Sequence, residues 1–273
     1  MHPVITIVEW HGIARPIGSY GVMLTLALLL GACLAVRSAQ QAGCDDVGAL
    51  IAALGGAVAA GFLGACALST LVLWPFVGSV SAALAQPGLV FYGGLLAGAL
   101  GLFGCARLFG LPPVETLDSM LPALPIAHAI GRVGCLLGGC CYGAPTSLPW
   151  GVHAHVASGG TWLTASESVL RHPWPLYEGL GLLGLAWLFG ARRRFASVPG
   201  QRAAGYVAAY ACLRLVLEPL RGDPVRGVWC GGLLSSAQLI SFALLLACGL
   251  WGFRQGRLVL ARGLRRPVQP LAR

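Results

Sequence analysis

Long runs of apolar residues, separated by short polar stretches, dominate this chain of 273 residues. Apolar side chains make up 57% of it and charged side chains only 10%, against about 25% charged residues in a typical soluble domain. Such a chain has too little charge for a water-facing surface, which excludes a soluble enzyme, a disordered protein and a DNA-binding module. Because lipid admits only helices or closed barrels, and a barrel would show short alternating segments, the runs predict an all-α polytopic membrane protein.

Seven segments are long and apolar enough to be transmembrane helices, each near the 20 residues that cross the hydrocarbon. The fourth is interrupted by prolines, His128 and Arg132. We interpret the first as an uncleaved helix, because the residues before it form a poor signal-peptide leader. A single integral membrane domain over residues 1–273 is predicted. The segments are 19–36, 49–74, 88–110, 117–138, 175–191, 203–220 and 233–252.

The arginines are unevenly distributed among the loops. All 18 basic residues are arginine, and with the N-terminus outside, twelve lie on the inner side and four on the outer side. Because arginine is enriched in cytoplasmic loops, this distribution predicts an external N-terminus and a cytoplasmic C-terminus. The preference for arginine in cytoplasmic loops of a membrane protein also accounts for the net charge of +9, so no nucleic-acid partner is needed to explain it.

A glycine-rich segment covers the end of the fourth apolar run and the residues after it. It holds five glycines within thirteen residues, namely Gly131, Gly134, Gly138, Gly139 and Gly143. Glycine is costly inside a helix and allows close backbone approach. Arg132 lies at its start, and its planar guanidinium suits bidentate phosphate binding. The alternative is an arginine that reaches the membrane interface beside a packing surface of glycines.

Two further clusters place charge within or beside apolar segments, where it is costly and usually functional. Arg214, Glu218 and Arg221 have the spacing of one helix face and carry a net positive charge suited to an anionic headgroup, or form a structural ion pair. His172, Tyr177 and Glu178 form a predicted titratable cluster. The alternative there is an interfacial aromatic belt that includes Trp174.

Several cysteines lie near the outer surface in this topology. A disulfide from Cys140 or Cys141 to Cys230 is compatible with an oxidising compartment. Because the C-x-x-C spacing of metal and redox sites is absent, we favour packing or a disulfide for these residues and Cys135. No metal and no cofactor are predicted.

Taken in order, these motifs resemble the prolipoprotein diacylglyceryl transferase family of bacterial membrane enzymes. The resemblance spans nearly the whole chain and includes a Gly-Arg-x-Gly signature. It departs from the family at Cys135, Cys140 and Tyr92, which stand where the family has Asn, Glu and His. The matched positions are Tyr20-Gly21, Tyr92-Gly93-Gly94, Asp118, Gly131-Arg132-Val133-Gly134, Gly143, the run His172–Glu178, Arg214, Glu218, Arg221 and Gln238.

The resemblance implies transfer of the diacylglyceryl group of phosphatidylglycerol to the lipobox cysteine thiol of a prolipoprotein, with release of glycerol phosphate. It implies an inner-membrane enzyme whose site faces the outer leaflet. Arg132 and Arg214 are the expected phosphate ligands, with Arg221 in support. The general base stays open among Tyr92, Glu218, Glu178 and His172, and ionisation of the thiol without a dedicated base is a further alternative. The remaining expected substrate contacts are Tyr20, Gly131, Gly134, Cys135, Gly143 and Tyr177.

Two alternatives accompany this interpretation. The departures from the signature are compatible with a family member that modifies a different acceptor. A non-catalytic lipid-binding or transport protein is the other alternative, and the lack of visible inverted repeats disfavours it.

Overall fold

A computed structural model of the chain describes residues 4–10, 13–85, 89–153, 169–191, 198–222, 228–229 and 233–264. It begins with an antiparallel hairpin of β1 (Val4–Trp10) and β2 (Ile13–Gly18), which the sequence analysis did not predict. Two short strand pairs follow later, β3 (Val152–His153) with β4 (Leu170–Arg171) and β5 (Val228–Trp229) with β6 (Leu234–Ser235).

Helices make up most of the described chain. They are α1 (Ser19–Gln40), α2 (Val47–Val77), α3 (Val80–Ala85), α4 (Phe91–Leu108), α5 (Pro113–Met120), α6 (Ala123–Gly138), α7 (Trp174–Ala191), α8 (Gln201–Leu217) and α9 (Ser236–Leu264). This mostly helical architecture confirms the predicted class of polytopic membrane protein.

Each predicted apolar segment coincides with helix. Helices α1, α2, α4 and α9 are long and apolar enough to cross a membrane, as is α8 when extended by its last turn to Leu220. The pair α5–α6, bent by 48°, provides a sixth candidate. The bend lies at Leu121-Pro122, where proline removes a helical N–H donor. The segment 175–191 coincides with the 18 residues of α7. The count of seven crossings and the orientation of the termini stay predictions.

Glycines allow α2 and α4 to pack closely. A Cβ on Gly93 would meet the Gly64 carbonyl oxygen, and one on Gly101 would lie 2.6 Å from the Gly56 oxygen. Small residues permit this approach between membrane helices. The glycines that follow Tyr92 therefore pack helices together. Tyr92 itself belongs to a buried apolar cluster that also contains Leu182 and Tyr210.

Two of the residues matched in the resemblance form helix caps. Asp118 accepts hydrogen bonds from the backbone N–H groups of Gly200 (2.7 Å) and Ala203 (2.9 Å) at the start of α8. Gln238 Oε1 accepts from Ser235 N at 2.9 Å, while Ser235 Oγ accepts from Gln238 N at 3.2 Å, a capping box before α9. Both caps fix helices that surround the site described next.

Candidate functional site

Three neighbouring helices present polar or aromatic side chains to one buried point. Each contributes two residues four positions apart, and such residues share a helix face. Helices α6 and α7 pack together, as do α7 and α8, so the three pairs converge. They are His128 and Arg132 on α6, Trp174 and Glu178 on α7, and Tyr210 and Arg214 on α8.

Glu178 lies at the centre of this arrangement, with no exposed surface. Its Oε2 lies 2.7 Å from Arg132 Nε and 3.8 Å from Arg214 Nη1. Its Oε1 accepts a hydrogen bond from Tyr210 Oη at 2.8 Å and lies 3.9 Å from His128 Nε2. Two guanidinium groups so close keep the carboxylate charged. Glu178 therefore fixes both arginines from within the protein.

Arg221 does not continue the face of α8, which corrects the prediction of one helical stripe, whereas Glu218 keeps its predicted position beside Arg214. The α-helix ends at Leu217 and Glu218–Leu220 form a short 3-10 helix, because Pro219 cannot donate to the helical ladder. Arg214 Nη2 still donates to Glu218 Oε2 at 2.7 Å. Arg221 has extended backbone and forms a β-bridge with Gly143. The glycine-rich segment and the end of α8 are therefore joined directly.

Trp174 lies among three arginines. The guanidinium carbons of Arg214, Arg221 and Arg132 lie 4.7, 5.0 and 5.3 Å from its ring centroid. The indole N–H donates to the Leu217 carbonyl at 2.8 Å. Trp174 is completely buried, so it does not belong to a lipid-facing aromatic belt. Its ring face instead stabilises the grouped positive charge.

A cavity of about 100 Å³ adjoins the arginines. Three arginines and two glutamates, Glu178 and Glu218, leave this region with a net positive charge before any ligand binds. The rest of the wall is largely apolar. Such a cavity suits an anionic group attached to an apolar body. The lining residues are Val72, Leu89, Val90, Phe91, Tyr92, Arg132, Cys141, Tyr210, Arg214, Arg221, Ser236, Ala237 and Ile240.

Tyr92 lines this cavity but is a poor candidate for a base. Its hydroxyl lies 2.6 Å from Ser241 Oγ, and Ser241 donates its own proton to the Ala237 carbonyl at 2.7 Å. Tyr92 must therefore donate to Ser241. A phenol with an ordinary pKa near ~10 that is already bonded as a donor does not readily accept a proton.

His172 and Tyr177 do not form one cluster with Glu178, contrary to the prediction. Tyr177 Oη lies 3.2 Å from His172 Nδ1 and accepts a hydrogen bond from Trp150 Nε1 at 2.8 Å. Neighbouring helix positions face about 100° apart, so Tyr177 and Glu178 belong to different sides of α7. This second group organises the loop around Trp150.

The signature glycines differ in their surroundings. A Cβ on Gly134 would lie 2.8 Å from Met23 Cβ and 3.4 Å from Tyr20 Cδ2, so Gly134 and Tyr20 bring α6 against α1. A Cβ on Gly143 would lie 2.6 Å from the His172 carbonyl oxygen. A Cβ on Gly131 would meet no atom of the described residues within 4 Å. Substrate contact is therefore sterically possible at Gly131, whereas Gly134 and Gly143 are packing positions.

Cys135, Cys140 and Cys141 are brought together by the chain reversal that ends α6. Gly139 is left-handed (φ 73°), its N–H bonds the Leu136 carbonyl, and the Cys140 N–H bonds the Cys135 carbonyl at 3.1 Å. This is the Schellman pattern, which returns the chain over its last turn. Cys141 also has a positive φ of 56°. The three sulfurs lie within 4.8 Å of one another.

Arg132 connects this thiol cluster to the charged centre. Its Nη1 lies 3.9 Å from the sulfurs of both Cys135 and Cys141. Hydrogen bonds from Cys135 and Cys140, and then the charges of Arg221 and Arg132, hold the pKa of the Cys141 thiol well below its usual value. Hydrogen bonds with Cys135 and Cys141, together with burial, raise the pKa of the Cys140 thiol.

The structure shows Cys140 and Cys141 as free thiols, and the predicted partner Cys230 lies outside the described residues. The C-x-x-C rule missed this cluster, because the Schellman turn brings together cysteines that are five and six positions apart.

His128 and Tyr210 were missed as site residues. His128 stacks on Phe91, with centroids 3.7 Å apart, and its ring lies beside Tyr210. A sequence signal was available, since each lies four residues before a candidate arginine on a helix. That signal lies in the helix face that each residue shares with the arginine, and not in a charge of its own.

Comparison with known proteins identifies the family of this chain. The family model for prolipoprotein diacylglyceryl transferase matches residues 9–253. Proteins named phosphatidylglycerol–prolipoprotein diacylglyceryl transferase are similar over most of their length. One from Finegoldia magna is 29% identical over 235 residues, covering 84% of this chain and 87% of its own. Another, numbered 2, from Clostridium perfringens is 31% identical over 233 residues, with the same coverage of both chains. The chain belongs to the prolipoprotein diacylglyceryl transferase family.

Proposed function

We propose that this protein transfers the diacylglyceryl group of phosphatidylglycerol to the cysteine thiol of a prolipoprotein lipobox, releasing glycerol phosphate. The observation that carries the proposal is the small cavity bordered by Arg132, Arg214 and Arg221. Its positive charge and largely apolar wall fit a phosphate attached to a lipid. The names of the similar proteins from Finegoldia magna and Clostridium perfringens agree with this substrate pair.

The arginines would act on the leaving group. When the acceptor sulfur attacks the glycerol carbon, the carbon–oxygen bond breaks and its electron pair passes to the phosphate oxygen. Donors held at that oxygen before the reaction stabilise the charge that develops there. Glu178 and Glu218 orient Arg132 and Arg214 by short ion pairs, so little reorganisation is needed when the phosphate departs.

The acceptor thiol must lose its proton for this reaction, because the thiolate is the nucleophile. Neither Glu178 nor Glu218 suits a role as base, since each is held by an arginine at 2.7 Å. Tyr92 donates to Ser241. His172 lies in the separate group with Tyr177. Each of the four candidates for a dedicated base therefore already has a partner in the structure.

The position of the protein in the cell forms part of the proposal. The distribution of arginines supports an N-terminus outside, a C-terminus inside and a single domain in the bacterial inner membrane. In that orientation the segment 139–143, the start of α7 and the end of α8 lie on the outer side. Phosphatidylglycerol in the outer leaflet and a translocated signal peptide with its lipobox cysteine would both reach this side.

A reconstituted assay tests the proposal. The purified protein is incubated with phosphatidylglycerol and a lipobox peptide, and peptide mass is followed by mass spectrometry. We expect a mass increase of one diacylglyceryl group that is absent with Arg132→Ala and with a peptide whose cysteine is serine. Arg107→Ala, at the exposed end of α4, is the matched control and should retain activity. A folded protein that modifies no peptide, beside an active family member, contradicts the proposal.

A further inference from the structure

The sulfurs of Cys135, Cys140 and Cys141 form a compact triangle at the end of α6. They come from the seven residues 135–141, which the Schellman turn at Gly139 folds back on themselves. Among the described residues, Cys141 is the one non-glycine residue with positive φ. Such a backbone costs on the order of 1–3 kcal/mol and persists where surrounding structure imposes it, most often at functional sites. Packing alone gives no reason for three thiols to converge at that cost.

The spacing of the sulfurs fits coordination of one metal ion by all three. With metal–sulfur bonds near 2.3 Å, tetrahedral ligands lie about 3.8 Å apart, so sulfurs within 4.8 Å need to approach by at most ~1 Å. A disulfide would join only two of them and would require a sulfur–sulfur distance near 2.05 Å. Three thiolates are a ligand set for soft ions such as Zn²⁺.

The surrounding charge fits the same conclusion. Three thiolates with one divalent cation carry a net charge of −1. Arg132 Nη1 lies 3.9 Å from both Cys135 and Cys141. The three arginines beside the cavity exceed the two glutamates by one positive charge, which compensates the complex. An ion here would therefore not leave an uncompensated charge in the protein interior.

We propose that Cys135, Cys140 and Cys141 form a three-thiolate site for a soft divalent cation, typically Zn²⁺, with its fourth coordination position open to the cavity beside Arg132. Cys141 belongs both to the triangle and to the cavity wall, so a ligand that enters the cavity can reach the ion. Three protein ligands and one open position are typical of catalytic rather than structural zinc sites.

The open position suits a thiol, and this step rests on the proposed function. The acceptor cysteine binds the ion as a thiolate and releases its proton to solvent. Its sulfur electron pair then forms the bond to the glycerol carbon, while the carbon–oxygen bond breaks and glycerol phosphate leaves toward the arginines. No atom changes oxidation state in the protein. The ion thus supplies the thiolate without a dedicated side-chain base.

Metal binding is tested on the purified full chain, independently of any transferase assay. The protein is reduced, freed of metal, and titrated with Zn²⁺ and with Co²⁺, whose thiolate complexes absorb by charge transfer. We expect one equivalent bound and a thiolate–cobalt band. Cys141→Ala should weaken binding at least tenfold. Cys212→Ala, on the exposed face of α8, is the matched control and should bind as the unaltered protein does.

Several outcomes overturn the metal site. They are the absence of stoichiometric binding by the reduced protein, unchanged affinity in Cys141→Ala, and a disulfide within the triangle of a protein that still binds no ion after reduction. If buried Cys135→Ala fails to fold, Cys140→Ala and Cys141→Ala decide, since both thiols are only partly buried. None of these readouts depends on transfer activity, so the metal site and the proposed function fail separately.

The open position is tested by the cobalt spectrum in the presence of the acceptor. A lipobox peptide should shift the charge-transfer and d–d bands, whereas the same peptide with serine in place of cysteine should not. If the protein binds Co²⁺ through the triangle but its spectrum does not change with the thiol peptide, the fourth position is not open and the ion is structural. If that protein still modifies the peptide, the proposed function stands without metal-bound acceptor.

Discussion

Arg132 on α6 and Glu178 on α7 form an ion pair of 2.7 Å in the protein interior, with the arginine side chain 11% exposed and the glutamate fully buried. The pair joins two helices that carry otherwise separate sequence motifs. An unpaired charge within the membrane is costly, so each residue lowers the free-energy cost of burying the other. The same contact orients the arginine whose Nη1 faces the thiols of Cys135 and Cys141.

Replacement of Arg132 by alanine should damage both stability and activity. It leaves Glu178 buried without its nearest cation, which costs about 3–5 kcal/mol when one partner of a buried pair is removed. Loss of a donor at the departing phosphate should lower kcat at least ~100-fold. Thermal unfolding in detergent and the rate of peptide modification measure the two effects. Arg132→Lys should restore only part of the activity, because it lacks the planar fork.

A double variant separates the two effects of Arg132. Arg132→Ala combined with Glu178→Gln removes the unpaired charge and should recover most of the lost unfolding temperature. Activity should stay as low as in the single variant, because the phosphate ligand is still missing. Recovery of activity together with stability would show that Arg132 acts only through folding.

Trp174 should support the arginines through its ring. Trp174→Leu removes the aromatic face shared by Arg132, Arg214 and Arg221, and each such contact is worth about 0.5–2 kcal/mol. We expect a stability loss of several kcal/mol and weaker use of phosphatidylglycerol, seen as a raised KM for lipid. Trp187→Leu, on the same helix and 75% exposed, is the matched control. An unchanged KM in Trp174→Leu would argue against this role.

Asp118 should stabilise the fold without touching the reaction. Asp118→Ala leaves the Gly200 and Ala203 N–H groups without their cap, which typically costs about 1–2 kcal/mol. The unfolding temperature should fall, while KM and kcat measured well below it should change little. Exposed Asp45→Ala provides the comparison and should alter neither. A large fall in kcat of a folded Asp118→Ala protein would indicate a part in the site.

The apolar runs were sufficient to predict where the helices lie, because the membrane makes hydrophobicity a direct guide to position. The bend at Leu121-Pro122 was visible as prolines within the fourth segment. The hairpin of β1 and β2 was missed, since its residues do not alternate strictly between apolar and polar side chains. The stripe Arg214–Arg221 failed at Pro219, where helical spacing ends although the sequence stays apolar.

The charged residues of the site were predicted from the sequence, but most of the uncharged residues that contact them were not. Arg132, Arg214 and Glu178 come together because ionisable groups in apolar segments pair with one another. The sequence does not give the rotation of α7 and α9 against α4 and α8. That rotation decides that Trp174 is surrounded by arginines and that Tyr92 is bonded to Ser241. The thiol triangle depends on the αL conformation at Gly139, which local spacing rules for metal sites do not include.

The Tyr92 hydroxyl should be dispensable for chemistry. Tyr92→Phe removes a single hydrogen bond to Ser241, worth about 1 kcal/mol, and keeps the ring that packs on Tyr210 at 5.6 Å. We expect less than a ~10-fold change in kcat and an unchanged pH profile. If Tyr92 were the base, the variant would lose activity at all pH values, and Ser241→Ala would not reproduce the loss.

The two glycines that flank Arg132 should respond oppositely to alanine. Gly134→Ala places a Cβ 2.8 Å from that of Met23, so α1 and α6 must separate, at a cost of about 1–3 kcal/mol. Gly131→Ala meets no described atom within 4 Å and should stabilise the helix slightly, by up to about 1 kcal/mol. Unfolding temperatures of the two variants measure this difference. Because Gly131→Ala leaves the packing intact, a loss of activity in that variant alone would place its Cβ against bound substrate, whereas full activity would exclude Gly131 as a contact. Equal destabilisation by both alanines would contradict the packing described for α1 and α6.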